Sequence, residues 1–87
     1  MNDSVPLKDE PMTKLVAYLA DQLVEHRSEV HVEAFDEDGE TVIELEVAEE
    51  DLGKVIGRQG KTARAMRLIL SAAGSKLKKR YALEILE

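Results

Sequence analysis

The hydropathy of this chain changes period several times, and the order of those changes restricts the fold more than any other feature. Met12, Leu15, Val16, Leu19, Ala20, Leu23 and Val24 recur at the three-and-four spacing of one helix face, with Lys14, Asp21, Gln22 and Glu25 on the remaining surface. That spacing predicts a helix over about 12–25, and Pro11 suits its first position, where a missing N–H costs nothing. Two alternating runs follow, 30–35 and 41–47, separated by Asp36-Glu37-Asp38-Gly39-Glu40. The Asp38-Gly39 pair supplies the positive φ that a tight reversal needs, so the runs read as an antiparallel hairpin. Ile43, Leu45 and Val47 then share the face that meets the first helix, while Glu44 and Glu46 point the other way.

The period changes again at Glu49-Glu50-Asp51, three acids that complement the positive end of a short helix running to about Ile56. Gly57-Arg58-Gln59-Gly60 interrupts it, and a further helix begins at Lys61 or Thr62. Ala63, Met66, Ile69, Leu70 and Ala73 form its apolar side; Lys61, Arg64, Arg67 and Ser71 form a polar stripe. Gly74 reads as its stop, 74–80 as a basic loop and 81–85 as a last strand. The predicted order is α-β-β-α-α-β, an α+β domain spanning 11–87, preceded by a flexible tail over 1–10 that has no apolar period.

With 87 residues, 44% of them hydrophobic, the chain can build one small core and no second one. The longest uncharged stretch, 68–75, is eight residues, too short for a membrane-spanning helix, and no membrane partner is expected. The acidic amino terminus lacks a secretory pattern, which favours a cytoplasmic location. There is no cysteine, and His26 and His31 alone make no zinc pattern, so no metal or other cofactor is expected.

The net charge of −6 argues against a nucleic-acid partner until its distribution is considered. Residues 1–51 hold 16 acidic and three basic residues, a balance of −13; residues 52–80 hold nine basic residues and no acid. The second block is a candidate anion-binding surface. Within it, the two glycines of the Gly-x-x-Gly turn lie between two helices, with Arg58 inside the turn and Lys61 immediately after it. Glycine lets another backbone approach closely, and a helix amino terminus offers unpaired N–H groups to a phosphate.

Val55-Ile56-Gly57-Arg58-Gln59-Gly60-Lys61 resembles the V-I-G-x-x-G-K/R signature of KH domains, whose GxxG loop clamps the backbone of single-stranded RNA. The element order matches the type II KH topology, which implies a three-stranded mixed sheet packed on one side by three helices. Residues 12–85 are similar to the KhpA family of small stand-alone bacterial KH proteins, in which Pro often stands near the position of Arg27. The resemblance implies that Gly57, Arg58, Gln59 and Gly60 contact RNA, flanked by Lys54 and Lys61. It implies that Val55 and Ile56 help floor an apolar groove, although Ile56 equally suits the core, and that residues 42–46 form the opposite wall. Residues 75–80 occupy the family's variable-loop position; Lys76, Lys78 and Lys79 there, with Arg64 on the helix stripe, complete the candidate contact set. As partners the resemblance implies single-stranded RNA and self-association, or pairing with a second KH protein of the Jag/KhpB type, in post-transcriptional regulation or as an RNA chaperone.

Other readings fit less well. Gly60-Lys61-Thr62 matches the end of a phosphate-binding P-loop, but Val55 stands where its first glycine belongs. A DNA-binding helix-turn-helix would use the two helices around the glycine turn, yet gives no role to three strands. An RNA-recognition motif would need exposed aromatics on its sheet, and only Tyr18, Phe35 and Tyr81 are present, all expected to pack in the core or at an edge. The acidic clusters read as helix capping and a solvated turn, His26 as a complement to a helix end and His31 as a solvent-facing strand residue, so neither an enzyme nor a small-molecule substrate is expected. A pure protein-interaction module remains compatible, because alanines at 63, 65, 72 and 73 permit close helix approach.

Overall fold

A computed structural model describes residues 4–87. Pro11 opens helix α1 (Pro11–Leu23), and Glu10 caps it, its Oε2 accepting from the Met12 N–H at 3.0 Å. The helix stops at Leu23 because Val24 turns to an extended conformation, while its N–H still reaches the Ala20 carbonyl. A single turn of 3₁₀ helix over Arg27–Glu29 follows. Arg27, at the position where proline is common in the similar family, donates its Nε to the Asp21 carbonyl at 3.1 Å and ties this turn back to α1.

Strands β2 (His31–Glu37) and β3 (Glu40–Glu46) pair antiparallel, with Glu37 opposite Glu40, so the reversal takes two residues. Asp38 (φ 54°) and Gly39 (φ 83°) both take the left-handed conformation that a two-residue hairpin needs to match strand twist. Asp36 Oδ1 secures the turn by accepting the Gly39 N–H. The acids at Glu49–Asp51 form a 3₁₀ turn ahead of α2 (Leu52–Ile56). After the glycine turn, α3 (Lys61–Leu77) carries the chain to β4 (Arg80–Ile85), which lies parallel to β3.

The sheet order is β1-β2-β3-β4, and its first strand corrects the sequence reading. Val5–Pro6 forms a short β1 against Asp36 and Phe35, and Leu7 N–H donates to the Ala34 carbonyl at 2.8 Å. The sheet has four strands where three were expected, and the chain from Val5 onward is joined to it where a flexible tail was expected; residues 1–3 lie outside the described residues. A two-residue strand is too short to show a period, and it forms because β2 would otherwise expose a free edge.

Gly74 is the second correction. It lies buried inside α3, which runs one turn further to Leu77 and ends with Lys78 in the left-handed conformation. The Lys79 N–H bonds back to the Gly74 carbonyl at 2.8 Å. A Cβ at position 74 would stand 2.5 Å from the Lys79 carbonyl oxygen, so this glycine permits the returning chain to cross the helix closely. The expected loop over 74–80 shrinks to Lys78 and Lys79, because its remaining residues are helix or strand.

Alternation sorts the sheet into two faces. Ala34, Ile43, Leu45 and Leu83 point inward and join Val16, Ala20 and Val24 of the α1 region and Val55, Met66 and Leu70 of α2 and α3 in one core. Ile69, expected among them, is half exposed; Gly74 takes the adjoining place on the buried side of α3. The other face brings Glu33, Glu44 and Glu84 into register on neighbouring strands.

Candidate nucleic-acid interface

The turn between α2 and α3 is built by three left-handed residues. Gly57 (φ 77°, ψ 171°) ends α2, and its N–H still bonds to the Gly53 carbonyl. Gln59 (φ 57°) and Gly60 (φ 75°) close a 3₁₀ turn over Arg58–Gly60 in which the Gly60 N–H reaches the Gly57 carbonyl at 3.1 Å. Gly57 occupies a backbone region open essentially to glycine alone. A Cβ there would also lie 2.8 Å from the Thr62 N, so α3 packs directly on the turn. At Gly60 a Cβ would meet only an Arg64 guanidinium nitrogen at 3.7 Å, which leaves that side open to an approaching chain. No side chain caps the start of α3. Arg58 and Gln59 project from the turn and are exposed, and the Arg64 guanidinium donates to the Gln59 carbonyl and braces it.

The candidate contact residues separate into free and engaged groups. Arg58 and Lys61 are exposed at the turn, with Arg64 beside them; Lys76 and Lys78 are exposed at the far end of α3. Lys54 is engaged, 2.9 Å from Glu25 and 3.4 Å from Asp51. Lys79 is engaged with Glu10 at 3.3 Å. Val55 has no exposed surface and belongs to the core instead of a groove floor, while Ile56 is half-buried beside the turn. Residues 42–46 lie on β3, which runs between β2 and β4 in the sheet interior. The edge strands are β1 and β4, and the Arg67 guanidinium of α3 crosses to the Leu83 carbonyl of β4 at 3.2 Å. The aromatics are also placed: Tyr18 is 60% exposed, against expectation, whereas Phe35 and Tyr81 are half-buried on strands.

This arrangement, a Gly-x-x-Gly turn joining two helices between parallel strands, accompanies a match across the chain. A family model described as the KH domain of KhpA/KhpB covers residues 13–85. The chain belongs to that family. "RNA-binding protein KhpA" of Treponema pallidum is 46% identical over 74 residues, 85% of this chain and 92% of that one. Proteins of the same name from Aquifex aeolicus and Halalkalibacterium halodurans are 48% and 43% identical, over 84% and 87% of this chain and 92% and 100% of theirs. The resemblance drawn from the sequence thus holds, and the chain is a KH-domain protein and not an enzyme.

Two buried carboxylates position the KH elements, and sequence reasoning missed both. Asp51, grouped with its neighbours as a complement to a helix start, is fully buried. It accepts from the Glu25 N–H at 3.2 Å, the His26 N–H at 2.9 Å, His26 Nδ1 at 2.9 Å and Lys54 Nζ at 3.4 Å. Burial alone would raise its pKa, but these donors together hold it well below the usual carboxylate range. His26 answers Asp51 and not a helix end, and the hydrogen bond and charge of Asp51 raise its pKa. The cluster fixes the end of α1 to the start of α2, directly ahead of the glycine turn. Glu10 is the second: besides capping α1 it accepts from the Tyr81 hydroxyl at 2.9 Å and Lys79 at 3.3 Å. Burial, then the Glu10 bond, push the Tyr81 pKa up to about 12. Local signals were Asp51's place three residues before Lys54 and Glu10's place directly ahead of Pro11; the other partners of Glu10, Lys79 and Tyr81, lie about 70 positions away.

Proposed function

We propose that the chain binds single-stranded RNA and grips its backbone at Gly57, Arg58, Gln59 and Gly60. The observation that supports this reading most is the open side of the turn: Gly60 has free space, and exposed Arg58 and Lys61 flank it. Backbone N–H groups at the start of α3 and these cations hold phosphates, while an apolar groove beside the turn admits about four unpaired bases. Ile56, half-buried next to the turn, helps floor that groove; Arg64 braces the turn, and Lys76 and Lys78 extend the cationic surface along α3. Lys54 and Lys79 contribute through the ion pairs that set the loop and strand in place. The names of the relatives, all RNA-binding protein KhpA, favour the same ligand.

We further propose that the domain acts in the cytoplasm as a dimer, or with a second KH protein of the Jag/KhpB type, as a post-transcriptional regulator or RNA chaperone. Ala65, Leu68, Ile69 and Ala72 recur at helical spacing on the outward side of α3, and Leu68 is 70% exposed. That stripe suits helix-to-helix pairing, which raises effective concentration for a module whose single contact is weak.

Competition between single-stranded RNA and duplex DNA tests the reading. Single-stranded RNA displaces the duplex, and neutralising about four phosphates gives a log–log salt slope near −3, roughly a 50-fold loss of affinity between 50 and 200 mM salt. Preference for duplex DNA, or binding that ignores salt, contradicts it.

A further inference from the structure

Where β3 and β4 end side by side, the chain forms a hollow of about 590 Å³ on which the RNA-binding reading makes no claim. Its floor is apolar: Ala48 is buried, Val47 and Leu52 are half-buried, and Leu86 is 39% exposed. All its charged lining residues are glutamates, Glu29, Glu46, Glu49 and Glu87. None of the four is in an ion pair among the described residues. A smaller depression shares Glu46 and Leu86 with it and adds His31, Glu33 and Glu44, which continues a mainly acidic surface onto the open face of the sheet. There Glu33, Glu44 and Glu84 stand in register on adjacent strands. Burial, and then the charges of Glu84, Glu33 and Glu37, push the Glu44 pKa up, as expected where like charges crowd without a cation.

We propose that this hollow docks a cationic segment of a partner protein, one that seats an aliphatic side chain on Val47, Leu52 and Leu86 while flanking Lys or Arg residues meet the glutamate rim. Charge and floor together select this occupant. Nucleic acid is repelled by the rim. A metal ion makes no use of an apolar floor, and the described residues contain no group of side chains able to hold one. A second copy of the chain, placed against the outward side of α3 in the proposed reading, is distinguished from this occupant by sedimentation. A lysine-rich segment with an aliphatic anchor satisfies both surfaces, the anchor supplying burial that exposed ion pairs alone do not.

The test uses the full chain and a short fluorescent peptide of lysines interrupted by leucines, with anisotropy read at low salt. A second peptide has serine in place of leucine. The proposal expects saturable binding of the leucine peptide and about tenfold weaker binding of the serine peptide. It expects a similar loss for the leucine peptide with a Glu46→Lys, Glu49→Lys variant whose circular dichroism matches wild type. Equal binding of both peptides would mean charge attraction alone, and equal binding by the variant would place the peptide elsewhere; either overturns the proposal. So does absence of saturable binding. Sedimentation of the chain without peptide completes the test, since self-association that the same two substitutions abolish would make a second copy the occupant.

Discussion

A carboxylate with no exposed surface is costly unless donors surround it, and Asp51 has two backbone N–H groups, an imidazole and an ammonium within reach. Removing its charge while keeping its shape tests how much the cluster matters. Asp51→Asn is expected to lower the midpoint of thermal unfolding by ~10 °C, because an amide cannot accept all these bonds. The cluster also sets a pH window. The depressed Asp51 pKa gives stability that is present above its unfolded value near 3.8 and lost as pH falls through the lower folded value. The raised His26 pKa gives stability that is complete below its unfolded value near 6.5 and lost as pH rises through the higher folded value. Thermal melts across pH should therefore show a contribution that is greatest between about 4 and 6.5, and His26→Gln should flatten the alkaline side while reducing the acid side less, because the backbone donors to Asp51 remain. An unchanged alkaline slope in that variant would remove His26 from the account.

The two glycines of the turn differ at the same scale. Gly57→Ala places a Cβ against Thr62 in a backbone region reserved for glycine and should cost about 3 kcal/mol in urea unfolding. Gly60→Ala meets open space and should cost only the left-handed backbone penalty, about 1 kcal/mol. Equal losses would contradict this geometry. The turn itself was legible in the sequence, because glycine spacing is a local property. The glycine that ends no helix was not: Gly74 is required by the Lys79 carbonyl crossing it, a contact invisible to helix periodicity.

At the scale of elements, α1, the β2–β3 hairpin and the order of the remaining elements followed from period and turn chemistry, since each depends on neighbours within a few residues. What sequence missed is tertiary. β1 has two residues and no pattern, yet β2 offers it an edge. β4 lies beside β3, a parallel pairing that no local signal orders. Glu10 joins α1 to β4, since one carboxylate caps α1, receives Tyr81 of β4 and pairs with Lys79 just before that strand. Glu10→Ala should therefore cost about 2 kcal/mol, more than an exposed cap would. Equilibrium denaturation measures it, and a loss below about 0.5 kcal/mol would show that Glu10 does not join these elements.

At the scale of the whole molecule, charge is segregated along the chain and in space. The acid-rich first 51 residues supply Glu33 and Glu44 on the open sheet face, and the basic block supplies the turn and α3. On the proposed reading this arrangement steers an anionic ligand to one side and keeps it from the other. Pairing through α3 belongs to this scale as well. Leu68→Asp changes an exposed residue, so it should leave the melting midpoint within a few degrees while shifting the species seen in sedimentation to monomer. A wild-type chain that is monomeric at high concentration would exclude self-pairing through this face.

The measurement closest to the central claim is an RNA titration of the Arg58→Asp, Gln59→Asp double variant against wild type. Both side chains are exposed and neither contributes to the core. The account predicts an unchanged circular dichroism spectrum and an affinity for single-stranded RNA at least about tenfold weaker, because two carboxylates replace a cation and an amide beside the phosphates. Wild-type affinity in the folded double variant would contradict the claim that the Gly57–Gly60 turn holds the RNA backbone.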